Sequence, residues 1–110
     1  MKNITLNNLL NHLNNNKENF LEYLRSKYPL FHNSIFFYRD LQFGIKGYFG
    51  KKGIILSYSD SEKLARLLEQ IFIDDKTFYK ITDNSYKINN LKYITTEPGD
   101  PFKNIQIGGN

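Results

Sequence analysis

The 110-residue sequence contains no cysteine and no tryptophan, and only three prolines and one methionine. Without cysteine, the chain has no disulfide, no thiol nucleophile and no cysteine-ligated zinc site. It also lacks an apolar run near the roughly 20 residues that a membrane-spanning helix needs. Its first residues have no apolar core like that of a secretory signal. We therefore expect a cytoplasmic protein that has no membrane partner.

Aromatic residues are abundant, with nine phenylalanines and eight tyrosines. They supply enough apolar surface for one globular domain spanning residues 1–110, of which we expect 108–110 to fray. The net charge is +4, but the lysines are scattered and only Lys51 and Lys52 are adjacent. The frequent Asn, Lys, Ile, Tyr and Phe are typical of an AT-rich bacterial or phage gene.

The central stretch has the clearest pattern. Apolar residues at odd positions of 41–49 predict a half-buried strand, and 54–58 resembles a second strand after the turn Gly50-Lys51-Lys52-Gly53. Ser59, with Glu62 three residues later, forms a capping box that predicts the start of an amphipathic helix. The sequence therefore predicts a β-hairpin packed against this central helix.

The flanking regions complete the predicted fold. Two short amphipathic helices, rather than one kinked helix, are expected before Pro29, with Thr5 and Asn16 as their N-caps. Further strands are predicted at residues 34–38, 78–81, 86–88, 91–95 and 102–107. Strand 34–38 is expected to pair with 41–49. The fold class is α+β: N-terminal helices and a mostly antiparallel meander packed against the central helix.

The Gly50-Lys51-Lys52-Gly53 turn resembles the Gly-x-x-Gly loop with which KH domains clamp a nucleic-acid backbone. In KH domains that loop joins two helices, whereas both flanks here are predicted strands. We therefore expect a solvated hairpin tip. By strand parity, Lys46 and Tyr48 would share the outward face beside Lys51 and Lys52. That face would suit a phosphate backbone or a partner protein.

Catalytic motifs are scarce. A metal-independent ribonuclease needs an acid and a base near the scissile phosphate, and the two histidines, His12 and His32, are the candidates. His32 lies at an element boundary, and nothing in the sequence places His12 beside it. Turn signals separate Asp74-Asp75, Asp83, Glu97 and Asp100, which are expected to be loop residues, so no metal site and no cofactor are predicted.

These observations favour a protein that is not an enzyme. We expect a small binding protein that inhibits or neutralises a macromolecular partner, such as an immunity protein, an antitoxin or a phage anti-defence protein, with a toxin or nuclease as the partner. One alternative is an RNA- or DNA-binding module that uses Lys46, Tyr48, Lys51 and Lys52. The other is a small ribonuclease that uses His32.

Overall fold

The computed structural model of the protein describes residues 5–93. Four helices and three strands follow one another along the chain: α1 Leu6–Asn15, α2 Lys17–Lys27, β1 Ile35–Phe37, α3 Tyr38–Gly50, α4 Tyr58–Asp74, β2 Phe78–Thr82 and β3 Ser85–Ile88, with a final 3₁₀ turn at Leu91–Tyr93. The predicted α+β class is confirmed. The predicted strand 102–107 and the fraying of 108–110 lie outside the described residues. Within the described part, no helix is long and apolar enough to cross a membrane.

The two N-terminal helices are confirmed as separate helices. Thr5 caps α1, because its Oγ1 accepts a hydrogen bond from the Asn8 N–H at 3.1 Å. Asn16 is the single residue between α1 and α2. It occupies the N-cap position of α2, but its side chain does not cap that helix. Its Nδ2 instead donates to the His12 carbonyl at 2.8 Å and so closes the end of α1.

The predicted strand 41–49 is wrong, because this stretch belongs to helix α3. Leu41, Ile45 and Phe49 are buried at intervals of four residues, a spacing that satisfies a strand and a helix equally. Two other residues separate the alternatives: Phe43 is 45% exposed, whereas Tyr48 is only 4% exposed. In a strand with this buried face, Phe43 would be buried and Tyr48 exposed, since residues at odd and even positions face opposite sides.

Two glycines allow α3 to pack closely on α2. A Cβ at Gly44 would overlap the Leu24 side chain, and a Cβ at Gly47 would overlap the Tyr23 hydroxyl. Glycine lowers helix propensity, so these two residues made the helix harder to predict from the sequence. Here the close approach of the two helices requires them.

The predicted second strand, 54–58, is also wrong. Residues 54–57 form an extended connection without a sheet partner. It is attached to α3 by the Lys46 ammonium, which donates to the Leu56 carbonyl at 2.6 Å. Helix α4 begins two residues earlier than predicted, because Ser57, rather than Ser59, accepts the capping hydrogen bond from the Asp60 N–H at 3.0 Å.

The three predicted strands at 34–38, 78–81 and 86–88 are confirmed within a residue or two at their ends. They form one antiparallel sheet in the order β1-β3-β2. Strand β1 therefore pairs with β3 and not with the neighbouring segment 41–49, so the sheet is not a simple meander. Leu91–Tyr93 is a 3₁₀ turn instead of the start of the predicted strand 91–95.

The helices cover one face of the sheet. The inward side chains of the sheet join the buried faces of all four helices in one apolar core, in which the Phe78 and Tyr86 rings stack at 4.8 Å. No element of residues 5–93 covers the opposite face, whose exposed residues include Ile35, Phe37, Tyr79, Ile81 and Lys87. We call these five residues the outward sheet face.

Candidate functional site

The Gly50-Lys51-Lys52-Gly53 turn joins two helices, α3 and α4, by way of the extended residues 54–57. The prediction that strands flank it is wrong, and the reason for treating it as a hairpin tip no longer applies. The backbone N–H groups of Lys51, Lys52 and Gly53 all donate to carbonyls within the turn or the end of α3. What the turn presents to solvent is therefore its two exposed lysine side chains.

The glycines leave the turn open on its outer side. A Cβ added at Gly50 or at Gly53 would meet no atom within 4 Å. Gly53 has φ +83°, which favours glycine because a Cβ is strained there. A ligand backbone can therefore approach this turn closely.

Lys46 and Tyr48 do not share an outward face, contrary to the prediction. Lys46 is half-buried, and its ammonium binds the Leu56 carbonyl. Tyr48 is buried, and its hydroxyl shares a hydrogen bond with His12 Nε2 at 3.2 Å. Burial raises the pKa of the Tyr48 hydroxyl. Of the four predicted binding residues, Lys51 and Lys52 are the two that are exposed.

A pair of tyrosine rings holds cations beside the turn. The rings of Tyr23 and Tyr48 lie 5.6 Å apart with an edge-on geometry. The Lys52 ammonium lies 4.8 Å from the centre of the Tyr48 ring, and the Lys27 ammonium 5.6 Å from that of Tyr23. Cation–π attraction of this kind fixes an ammonium group without neutralising it. Sequence reasoning missed Lys27, although its position four residues after Tyr23 on a predicted helix was a usable signal.

The solvent-facing side of α3 leads to this turn. Arg39, Phe43, Lys46 and Gly50 follow one another at intervals of three or four residues, which places them in one row along the helix. Arg39 and Phe43 are exposed, and Lys46 is half-buried. At 1.5 Å per residue, the row from Arg39 to Gly50 is about 16 Å long. We call Arg39, Phe43, Lys46, Lys51 and Lys52 the basic row.

An open groove of about 800 Å³ lies at the Arg39 end of the basic row. Three partly exposed rings surround it: Phe37 at the end of β1, Phe43 on α3 and Tyr58 at the start of α4. Its other lining residues are Tyr38, Arg39, Asp40, Gln42 and Asn84. Sequence reasoning missed this groove, because its rings come from three separate elements.

Arg66 holds one wall of the groove in place. Its guanidinium lies 3.7 Å from the centre of the Tyr38 ring, and it donates to Asn84 Oδ1 at 3.2 Å and to Glu69 Oε1 at 2.9 Å. Glu69 is buried and also accepts a 2.6 Å hydrogen bond from the Tyr86 hydroxyl. Burial, together with this carboxylate, raises the pKa of Tyr86 strongly. The network fastens the β2–β3 turn to α4.

The charges of the basic row are not neutralised by carboxylates of the described residues. Five ion pairs occur in residues 5–93, and their cations all lie elsewhere: Lys17, Arg25, Arg66, Lys80 and Lys92. Arg39, Lys51 and Lys52 form none. Among residues 5–93, Asp40 is the one carboxylate that lines the groove. The arrangement is therefore a cationic row with an aromatic groove at one end.

The two histidines contact different parts of the molecule. His12 lies against Tyr48 and Phe49, whereas His32 Nδ1 accepts a hydrogen bond from the Asn90 N–H at 3.1 Å. No contact in the structure links these histidines as an acid–base pair. Across residues 5–93, no group of three His, Asp or Glu side chains is placed to hold a metal ion.

Comparison with known proteins does not indicate a function. The chain matches no family model, no curated protein and no solved structure. The geometry of the site is therefore what can indicate a function for this protein.

Proposed function

We propose that the protein is a non-catalytic nucleic-acid-binding module, and that the basic row contacts the phosphate backbone. The observation that carries this proposal is the position of the Gly50-Lys51-Lys52-Gly53 turn between two helices, with both lysines exposed. Gly-x-x-Gly loops of KH domains occupy that position and clamp the nucleic-acid backbone. The similarity is one of local arrangement, and the charges of the row support it independently.

In this proposal, side-chain ammonium groups contact the phosphates, and backbone N–H groups do not. Because the N–H groups of Lys51, Lys52 and Gly53 are already bonded within the protein, the phosphates would be bound by the ammonium groups. Lys51 and Lys52 would each bind one phosphate at the turn, and Arg39 a third at the far end of the row. Binding of this kind releases counterions and therefore weakens as salt is raised.

The test is a salt titration with a fluorescein-labelled dC12 oligonucleotide, read by fluorescence anisotropy. Three phosphate contacts give a slope of about −2.1 in log K against log salt, so affinity falls about 18-fold between 50 and 200 mM salt. The double variant Lys51→Ala/Lys52→Ala retains one contact. Its slope is about −0.7, and the loss over the same range is about threefold.

The matched control is Lys63→Ala/Lys87→Ala. It removes the same two charges from exposed lysines on α4 and on the outward sheet face. We expect its slope to equal that of the wild type. Absence of wild-type binding at 50 mM salt, or equal slopes for the two double variants, would contradict the proposal.

A second candidate function is supported by the outward sheet face. Ile35, Phe37, Tyr79 and Ile81 are each about half exposed there, and aromatic residues are enriched where proteins meet. This face suits the expected inhibitor of a macromolecular partner, such as a cytoplasmic immunity protein, antitoxin or anti-defence protein that blocks a toxin or nuclease.

The inhibitor proposal is tested by co-purification from the native host. We expect a stoichiometric protein partner that is retained in high salt and lost with Tyr79→Ser/Ile81→Asp, but not with Lys51→Ala/Lys52→Ala. If no partner depends on the outward sheet face, this second proposal fails.

A further inference from the structure

We infer that the nucleic acid is single-stranded and that one unstacked base sits in the groove between Phe43 and Tyr58, while its backbone follows the basic row to Lys51 and Lys52. This inference rests on the proposed nucleic-acid binding and specifies its substrate class. Its starting observation is the exposure of the groove rings, 53% for Phe37, 45% for Phe43 and 63% for Tyr58.

The rings are carried by regular structure and not by long loops. Strand β1 ends at Phe37, α3 begins at the next residue, and Tyr58 is the first residue of α4. Gln42 at the groove floor donates to the Tyr58 carbonyl at 3.3 Å and to the Ser61 hydroxyl at 3.1 Å, which joins α3 to α4. The groove is therefore held in shape before a ligand arrives, which lowers the cost of binding.

The size and chemistry of the groove suit a base. Its volume of about 800 Å³ is typical of small-molecule sites and leaves room for a base together with part of its sugar. Aromatic rings are the platforms on which proteins stack unpaired bases. A base in a duplex is already stacked on both faces and cannot enter, so the groove selects a single strand.

The polar groups on the rim fit the edge of a base better than a phosphate. Asp40 lines the groove, and a carboxylate repels phosphate but accepts a hydrogen bond from an exocyclic amino group. Asn84 uses its Oδ1 to accept from Arg66, which leaves its amide N–H groups to donate. The cations of the basic row begin beside this rim at Arg39, so backbone and base have separate sites.

The experiment compares three probes: single-stranded dC12, single-stranded dT12 and the dC12·dG12 duplex. We expect dC12 to bind most tightly, because cytosine has an amino group for Asp40 and thymine does not. Phe43→Ala and Tyr58→Ala should each weaken dC12 binding about 5- to 160-fold. The salt slope should stay at the wild-type value, since no charge is removed.

Two controls separate stacking from general damage. Tyr58→Phe keeps the ring and should bind like the wild type, and Leu91→Ala removes an exposed apolar side chain outside both the groove and the outward sheet face and should also bind normally. Circular dichroism verifies that each variant is folded. Duplex binding as tight as dC12 binding, equal binding of dC12 and dT12, or normal binding by Phe43→Ala and Tyr58→Ala would overturn the inference.

The outcomes distinguish this inference from the proposed function. If Lys51→Ala/Lys52→Ala loses salt-dependent binding while Phe43→Ala binds normally, the backbone contact stands and the base site is wrong. If the wild type binds no probe, both fail. If Phe43→Ala loses a co-purified protein but keeps oligonucleotide binding, the groove serves a protein partner and the inference is overturned.

Discussion

Removing the hydroxyl of Tyr86 should destabilise the fold far more than its small size suggests. The hydroxyl donates to the buried Glu69 carboxylate at 2.6 Å, and the Tyr86 side chain itself is fully buried. In Tyr86→Phe, the carboxylate keeps its bond from Arg66 but loses one charge-assisted hydrogen bond in a site from which water is excluded. A hydrogen bond to a charged group contributes about 1.5–3 kcal/mol.

Urea unfolding followed by circular dichroism measures this loss. With a slope of about 2 kcal/mol per molar urea, a loss of about 1.5–3 kcal/mol lowers the midpoint by roughly 1 M. The matched control is Tyr79→Phe, whose hydroxyl is on the open face of the sheet and has only a 3.4 Å contact with Asn89. We expect that control to change stability by less than about 0.5 kcal/mol.

The same residue predicts a pH dependence. Because burial and the Glu69 carboxylate raise the pKa of Tyr86 above its usual value of 10.0, the hydroxyl ionises in the unfolded chain first. Its stabilising contribution is complete below pH 10 and is lost progressively as pH rises above 10. Tyr86→Phe should therefore unfold less steeply in alkali than the wild type. A midpoint and an alkaline slope both equal to those of the wild type would refute the reasoning about this network.

Two further predictions concern packing and charge. Gly44→Ala should destabilise the protein, because overpacking costs about 1–3 kcal/mol. Gly50→Ala should stabilise it by about 0.4–1 kcal/mol, since the new Cβ meets open space. If the two variants unfolded at the same urea concentration, the close packing of α2 and α3 would be contradicted. Partial burial works to raise the pKa of Asp75, but hydrogen bonds from Lys17 and Thr77 outweigh it and hold that pKa below its usual 3.8. The stability that Asp75 supplies is therefore present above pH 4 and lost as pH falls through its lowered pKa, so Asp75→Asn should lower the thermal midpoint by more at pH 7 than at pH 2.5.

The sequence predicted the outer elements of the fold better than its centre. Thr5, the strand at 34–38 and the hairpin strands have local signals, namely a cap and β-branched or aromatic runs bounded by turn residues. In 41–49, by contrast, Leu41, Ile45 and Phe49 suit either period, and glycine at 44 and 47 has a low helix propensity. The packing against Leu24 and Tyr23 that favours the helix exists only in the folded protein.

The candidate site, too, was only partly predictable from the sequence. The lysine pair and its glycines were evident as a motif, but its meaning depended on the type of its flanking elements, which were predicted wrongly. The aromatic groove had no signal, because Phe37, Phe43 and Tyr58 are brought together by the junction of β1 with α3 and by the position of α4. A site assembled from separate elements requires the fold before it can be recognised.

The pairing of β1 with β3 also affects the order in which the groove forms as the chain is synthesised. Ile35 is paired with Lys87, about fifty residues later in the chain, and the Tyr38 N–H donates to the Asn84 carbonyl at 2.9 Å. A nascent polypeptide that stops before β3 lacks both contacts, and with them the wall of the groove formed by Asn84. Closing such a distant pairing is slower than forming local helices. The wall of the groove that Asn84 contributes can therefore form only after β3 has been synthesised and has paired with β1.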